Sequence, residues 1–340
     1  MPKGPLGALF FGLFVGLLSS LLYNRIMERL AAIDLGSNAV RLVIAELDLK
    51  GRLTINKKFR IPLRLGSEAF SKGFFTDYTL KYASKAFEGM AHIIQHEKVD
   101  RVYAVATSAS RDVKNSKDFT SLIKNKSGIQ LDLISGDLEA ELIRKAIQQQ
   151  IDLSDKESLL MDIGGGSMEL TLIDHGRVLC SKSFQLGTVR ILQEMKNGPD
   201  DFEALDKLIS KSSIEINQFL DGKISSFKNL RMVGTGGNFR RMLKLKRKIF
   251  EDKKANHLSP DELEFIYQRL CQMPYLKRMK KFDLRPDRAD VIIPAIRMTI
   301  EVLKKRPIKK IYCPDVGLVQ GVLFAMADGQ FKEVRDLSST

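Results

Sequence analysis

The sequence predicts an α/β protein made of two similar halves, and three observations carry that prediction. A pattern of apolar strand, acidic residue, Gly/Ser turn and second strand occurs twice. It reads IDLGSNAVRLVI from Ile33 and MDIGGGSMELTLI from Met161, roughly 130 residues apart. After each copy come a third strand-like run and then segments of helical periodicity. The length of 340 residues with 44% apolar content is enough to bury two cores.

Taken in order, residues 6–23 form an uncharged, mostly apolar run of 18 residues. As a helix such a run spans ~27 Å, close to the ~30 Å of a bilayer interior. Three readings stay open for it: a membrane anchor, a translated upstream region if Met27 is the true start, or a buried helix of a soluble protein. Residues 31–35 and 40–47 read as the first hairpin, and 52–59 as a third strand. Residues 77–96 read as an amphipathic helix through Leu80, Ala83, Phe87, Met90 and Ile94. Residues 101–107 form a buried strand that ends in the polar turn Thr107 to Arg111, at a strand carboxyl end where α/β proteins tend to place function. Arg111 is a candidate phosphate clamp or a solvated arginine at a helix start. Helix 117–125 and strand 131–134 follow. A further helix, 137–150, is preceded by Ser135-Gly136 and carries Glu139 in its first turn. There the helix dipole favours an ionised carboxylate, as a general base requires, although acids also gather at helix starts for structural reasons.

The second half opens on strand 158–162, the turn Gly164-Gly165-Gly166 and a return strand. Glycines without Cβ allow bare N–H groups to approach an anion, yet the same turn also makes an ordinary tight hairpin. In both copies a strand follows the glycines. A dinucleotide fingerprint or a Walker loop needs a helix there, so both motifs are excluded. Strand 178–186, a helix after Leu186-Gly187-Thr188, and helix 200–219 ending near Gly222 come next. Strand 230–233 then runs into Gly234-Thr235-Gly236-Gly237-Asn238. A helix does follow this third glycine turn, which makes an anion site of its N–H groups. That helix continues as RRMLKLKRK, residues 240–248, read as a solvated face or a track for an extended polyanion. Ser259-Pro260-Asp261-Glu262 is a capping box. Helices at 275–281 and 287–305, a strand at 308–313 and a helix at 316–326 complete the core, with a polar tail after it.

Net charge adds a weaker signal. At +14 it draws polyanions in general, without choosing among them. The three cysteines, Cys180, Cys271 and Cys313, are widely spaced and include no CxxC pair, so neither a disulfide framework nor a zinc site is indicated.

Five stretches in order, AIDLGSNAVRL, ATSASRD, ISGDLEAELI, LMDIGGGSMEL and VGTGGN, together resemble the exopolyphosphatase / guanosine pentaphosphate phosphohydrolase (Ppx/GppA) family of the sugar kinase, chaperone and actin superfamily. The resemblance covers residues 30–326. It implies two ribonuclease H-like domains facing one another across a cleft, here expected at residues 27–145 and 146–328, with 1–26 as the apolar segment and 329–340 as the tail. It implies release of terminal phosphate from inorganic polyphosphate or guanosine pentaphosphate, with Mg2+ as cofactor and K+ as a stimulating ion. No nucleic acid partner is implied. A homodimer, and a cytoplasmic location with or without anchoring of residues 6–23 at the inner membrane face, complete the expectation.

By the same resemblance Glu139 is the general base and Arg111 the cleft arginine. Asp34, Gly36, Ser37 and Asn38 match the first phosphate loop. Gly164, Gly165, Gly166 and Ser167 match the second, with Asp162 and Glu169 near the metal, and Gly234, Thr235, Gly236 and Gly237 match the third. Ala39, Met168, Asn238, Val319 and Gln320 depart from the family's usual pattern. These departures bear on ligand preference, and they leave open a non-catalytic sensor that binds a nucleotide or polyphosphate.

Overall fold

The computed structural model of the chain describes residues 27–195, 197–224, 230–304 and 306–331. The apolar run 6–23 and most of the polar tail lie outside the described residues. Among the described residues no helix is long and apolar enough to cross a membrane.

The first sheet contains β1 (Met27–Leu35), β2 (Ala39–Asp48), β3 (Leu53–Pro62), β4 (Arg101–Ala106) and β5 (Leu131–Leu133), in the order β3-β2-β1-β4-β5. β1, β2 and β3 are antiparallel neighbours, while β1, β4 and β5 run parallel. The second sheet contains β6 (Ser158–Ile163), β7 (Met168–Asp174), β8 (Arg177–Phe184), β9 (Arg231–Thr235), β10 (His257–Leu258) and β11 (Ile311–Tyr312). Its order is β10-β11-β9-β6-β7-β8, with β6 to β8 antiparallel and β6, β9 and β11 parallel. Apart from the short edge strand β10, the second sheet repeats the first. The two-halved α/β architecture read from the sequence is the one observed, and the shared order is that of a ribonuclease H-like fold.

The helices are α1 (Leu65–Lys72), α2 (Asp77–His96), α3 (Ser108–Arg111), α4 (Ser116–Ser127), α5 (Gly136–Gln148), α6 (Thr188–Glu194), α7 (Phe202–Ile224), α8 (Gly236–Ile249), α9 (Pro260–Cys271), α10 (Tyr275–Phe282), α11 (Pro286–Ala289), α12 (Ile292–Leu303) and α13 (Leu318–Ala327). Several differ from expectation for identifiable reasons. α1 was not anticipated, because its eight residues are too few to show a period. The polar turn after β4 is a single helical turn, α3. Gly222 does not end α7, which runs on to bury Ile224. The helix expected at 287–305 is two helices, α11 and α12. Pro294 has no N–H to return to the carbonyl of residue 290, so a continuous helix loses a bond there, whereas in the first turn of α12 that N–H is not needed.

Two apolar clusters belong to the two halves, one under each sheet. A third is shared: Leu30, Val43 and Val105 of the first sheet pack with Leu160 and Val233 of the second, through Leu142, Ile143 and Val322 of α5 and α13. The last helix therefore returns to the first half. Gly321 allows it, because a Cβ there would overlap the backbone of Leu142. A cut at 145/146 falls inside α5, a helix that also touches the second sheet.

Candidate active site

The site is built from the two repeated hairpins. In the first, Asp34 stands across the strand pair from Arg41, and the guanidinium reaches the carboxylate at 2.5 Å. In the second, the equivalent position across from Asp162 holds Glu169. Like charges facing across a strand pair destabilise a sheet, so this pair needs a compensating cation. Arg41 was not picked out in the sequence, although aligning the two repeats places it at the position of Glu169 and would have found it.

The first loop is held from both sides of the cleft. Asn38 donates to the carbonyl of Asp287 at 2.8 Å, and Ser37 bonds Ser108 at 3.1 Å. In the second loop Thr188 N–H donates to the carbonyl of Gly164, Val189 N–H to that of Gly165 and Arg190 to that of Gly166, at 3.1, 2.8 and 2.9 Å. With the carbonyls tied back, the N–H groups of Gly165 and Gly166 bond no backbone acceptor among the described residues, as an anion site needs. A Cβ on Gly165 would press on Ser37 at 2.8 Å, so the two loops interlock. In the third, Gly236 takes a φ of +80° beside Asp162, and Thr235 donates to the Asp162 carboxylate at 2.7 Å. Asn238, where the resemblance expects threonine, ties α8 to the end of β6 by donating to the carbonyl of Ile163 at 2.7 Å.

These loops enclose a narrow pocket of about 70 Å3, lined among others by Asp34, Gly36, Ser37, Asn38, Glu139, Asp162, Gly164, Gly165, Ser167, Gly236 and Gly237. The other expected site residues lie elsewhere. Gly234 is inside β9 under the Phe239 ring, and Gly166 packs against Ser108 and Phe70. Thr235 and Glu169 do not line it but flank Asp162, which does. Arg111 does not line the pocket; its guanidinium bonds the carbonyl of Ile134.

Glu139 is held at the first turn of α5, whose Ser135 caps the helix by accepting from Leu138 N–H at 3.2 Å. Burial, then the charges of Glu169, Asp162 and Asp34, push its carboxyl well above the usual range, with Arg111 opposing. Burial and Asp162 likewise push Glu169 up to about 7, opposed by the neighbouring Ser167 and Ser183 hydroxyls, the latter donating to it at 2.8 Å. Burial raises Asp162 as well, opposed by the Thr235 bond and the Arg41 charge. Oε2 of Glu139 and Oε2 of Glu169 are both buried without a partner. Buried carboxylate oxygens in a shared acidic corner are the donor set of a hard divalent cation, which would favour their ionised forms. Among the described residues, the group of three acidic or histidine side chains whose ligand atoms lie within 4.8 Å of one another is Glu157, Asp174 and His175, at the opposite end of the β6–β7 hairpin from the glycine turn.

Beyond the pocket a wider cavity of about 530 Å3 continues past Arg41, Arg240 and Arg288. Lys58, Arg60, Arg241, Lys244, Arg247 and Arg285 add to its lining. Burial, with Arg60 and Arg41 nearby, pushes Arg288 down to about 9, so it remains a cation at neutral pH. The basic helix anticipated at 240–248 gives Arg240, Arg241, Lys244 and Arg247 to this lining, with some of its cations already engaged. Lys246 is buried on Glu262 at 2.8 Å, Arg247 bonds the carbonyl of Ala255, and Arg240 pairs with Asp315 at 2.6 Å. The rest of the cavity's charge comes from β2, β3 and the start of α11, segments too far apart in sequence to be read as one patch with that helix.

The profile of the Ppx/GppA phosphatase family matches residues 43–330. The chain belongs to this family. Exopolyphosphatase 2 of Mycobacterium tuberculosis is 27% identical over 323 residues, covering 88% of this chain and 99% of that one. The bifunctional 3-dehydroquinate synthase/phosphatase of Fusobacterium nucleatum is 27% identical over 288 residues, and the chain spans only 43% of its length. Among solved structures, an exopolyphosphatase from Cytophaga hutchinsonii superposes with a TM-score of 0.82 at 26% identity, covering 89% of this chain and 98% of that one. The Aquifex aeolicus family member shares the fold at a TM-score of 0.72. Family membership makes the chain a hydrolase of the phosphatase class with two actin-like domains, and a divalent metal fits that family.

Proposed function

We propose that the protein releases terminal orthophosphate from inorganic polyphosphate, with guanosine pentaphosphate as the alternative or second substrate. One observation supports this most: a narrow pocket of acids and loop N–H groups opens directly into a broad basic cavity. The pocket admits a single phosphoryl group, while the cavity suits a longer run of negative charge. The relatives' names point the same way, including the guanosine-5'-triphosphate,3'-diphosphate pyrophosphatase of Photobacterium profundum, 28% identical over 170 residues.

In this reading the N–H groups of Gly165 and Gly237 hold the terminal phosphate, and Arg41 and Arg288 hold the phosphates that follow it. Glu139, once ionised, takes a proton from a water that attacks the terminal phosphorus in line. The bond to the bridging oxygen breaks, orthophosphate leaves, and the shortened chain keeps the bridging oxygen. Arg111 reaches the cleft only by leaving the Ile134 carbonyl, and would then neutralise charge on the equatorial oxygens. Asp162 and Glu169 would hold Mg2+, which supplies charge neutralisation at the phosphoryl oxygens when bound.

A malachite-green assay tests the proposal. The full chain and residues 27–340 would receive long polyphosphate and guanosine pentaphosphate side by side, with Mg2+, in the presence and absence of K+. Orthophosphate release from polyphosphate is the expected result. Tight binding of both substrates without release would sink the hydrolase reading in favour of a sensor, which the turned-away Arg111 would then explain.

A further inference from the structure

Ser183 on β8 meets the acidic corner from two sides. It stands opposite Glu169 in the β7–β8 pair, and its hydroxyl donates to Oε1 of that residue at 2.8 Å. Its Cβ also fills the space that Gly136 leaves open. A Cβ on Gly136 would come within 2.5 Å of Ser183 Cβ and 2.7 Å of its Oγ. Gly136 begins the helix whose first turn carries Glu139. One small side chain thus touches both acid-bearing elements.

The effect is visible on Glu169. Its Oε1 is taken by the serine, while Oε2 is buried and bonds nothing among the described residues. A donor on one carboxylate oxygen fixes the rotation of the group and leaves the other oxygen to face a cation, the role outer groups play around metal ligands. Two residues further along the same strands, Thr171 and Ser181 bond each other at 2.8 Å and reach no acid, so they show what a purely structural hydroxyl pair looks like here.

We propose that Ser183 is a positioning residue for phosphate release: it aims the free oxygen of Glu169 at the cation shared with Asp162, and it spaces the Glu169 strand from the Glu139 helix. The inference rests on the reading of Glu169 as a metal ligand.

Three variants of the full chain separate the possibilities: Ser183→Ala, Ser181→Ala and Glu169→Gln. Mn2+ affinity would be measured by electron paramagnetic resonance, together with kcat, KM for polyphosphate, and Tm. Ser183→Ala is expected to weaken Mn2+ binding about 10-fold, at the low end for outer-shell partners, and to lower kcat with KM changed less than two-fold. Its Tm should match that of Ser181→Ala, which should keep wild-type Mn2+ affinity. A Ser183→Ala protein that loses Tm but binds Mn2+ within two-fold of wild type would overturn the inference, because the hydroxyl would then be structural only. Equal loss of Mn2+ affinity in Ser181→Ala would overturn it too, as a general loosening of β8. Glu169→Gln marks where any failure lies. If that variant keeps Mn2+ affinity, the ligand reading itself falls and takes the inference with it. If it loses affinity while Ser183→Ala does not, only the serine's role is refuted.

Discussion

At the scale of single residues, the repeat carries one informative asymmetry. Asp34 faces Arg41 and is neutralised within its own hairpin, whereas Asp162 faces Glu169 and is not. The first hairpin can therefore bind phosphate near an internal cation, and the second calls for an external one. Glu139 sits above both, buried and with its pKa raised by their charges. Its substitution is the most direct test of the chemistry. Glu139→Gln should retain the fold, since amide and carboxyl have the same shape. It should lose ~10²- to 10⁴-fold in turnover, or about 3–5 kcal/mol of barrier. Steady-state phosphate release together with circular dichroism checks both halves of that statement, and unchanged turnover would refute Glu139 as the base. Arg111 gives a second outcome at this scale. Because it bonds the Ile134 carbonyl, Arg111→Lys should lower kcat while leaving the affinity for polyphosphate nearly untouched. An equal loss of affinity would mean that the arginine binds the ground state after all.

At the scale of elements, close approaches and caps decide how the site is held. α13 lies on α5 only because Gly321 has no side chain, so Gly321→Ala must push one helix off the other. The expected cost is about 1–3 kcal/mol, read as a lower urea midpoint. The junction of α1 and α2 supplies a pH test. Burial alone would raise Glu68, but Thr76 N–H, Lys72 and the hydroxyls of Thr79 and Thr76 outweigh it and hold the carboxyl at about 2. A folded-state pKa below the unfolded value near 4.5 stabilises the protein above that value, and the gain is lost as pH falls toward 2. Glu68→Gln should therefore lower Tm at neutral pH, and the gap from wild type should close on acidification between those two values. A gap of constant size would show that shape, not charge, makes the contact.

At the scale of the molecule, the two halves meet through ion pairs as well as through the shared core. Arg60 pairs with Asp287, Arg64 with Asp290, and Lys58 with Asp315 at 3.4 Å, all across the cleft. Nε and Nη1 of Arg60 are buried without partners, so this arginine keeps donors to spare for an anion in the basic cavity. Long polyphosphate should consequently bind with a steep salt dependence, because each phosphate contact releases counterions. Arg241→Gln combined with Lys244→Gln should reduce the slope of log affinity against log salt by about 1–2, at roughly 0.7 per contact. Fluorescence anisotropy with labelled polyphosphate measures it, and a flat response in the wild type would remove the basic cavity from substrate binding.

Much of this was legible beforehand, and what was missed shares a cause. The hairpins, the glycine turns, α2, the capped start of α9 and the acid at Glu139 are written in local patterns: alternation, helical period, cap residues and glycine. Those patterns express the chain's short-range physics, so sequence alone determined the fold class, the family and the glycine loops that line the pocket. Tertiary structure decided the rest. It set Asp287 and Asp290 against Arg60 and Arg64 of the first half, and it buried Lys246 on Glu262. It also gathered Arg41, Arg60 and Arg288 around one cavity, carried α13 back to the first sheet, and set Ser183 between Gly136 and Glu169. Each of these outcomes depends on which distant segments share a buried volume, and on which charges find partners once water is excluded. Local sequence does not encode either.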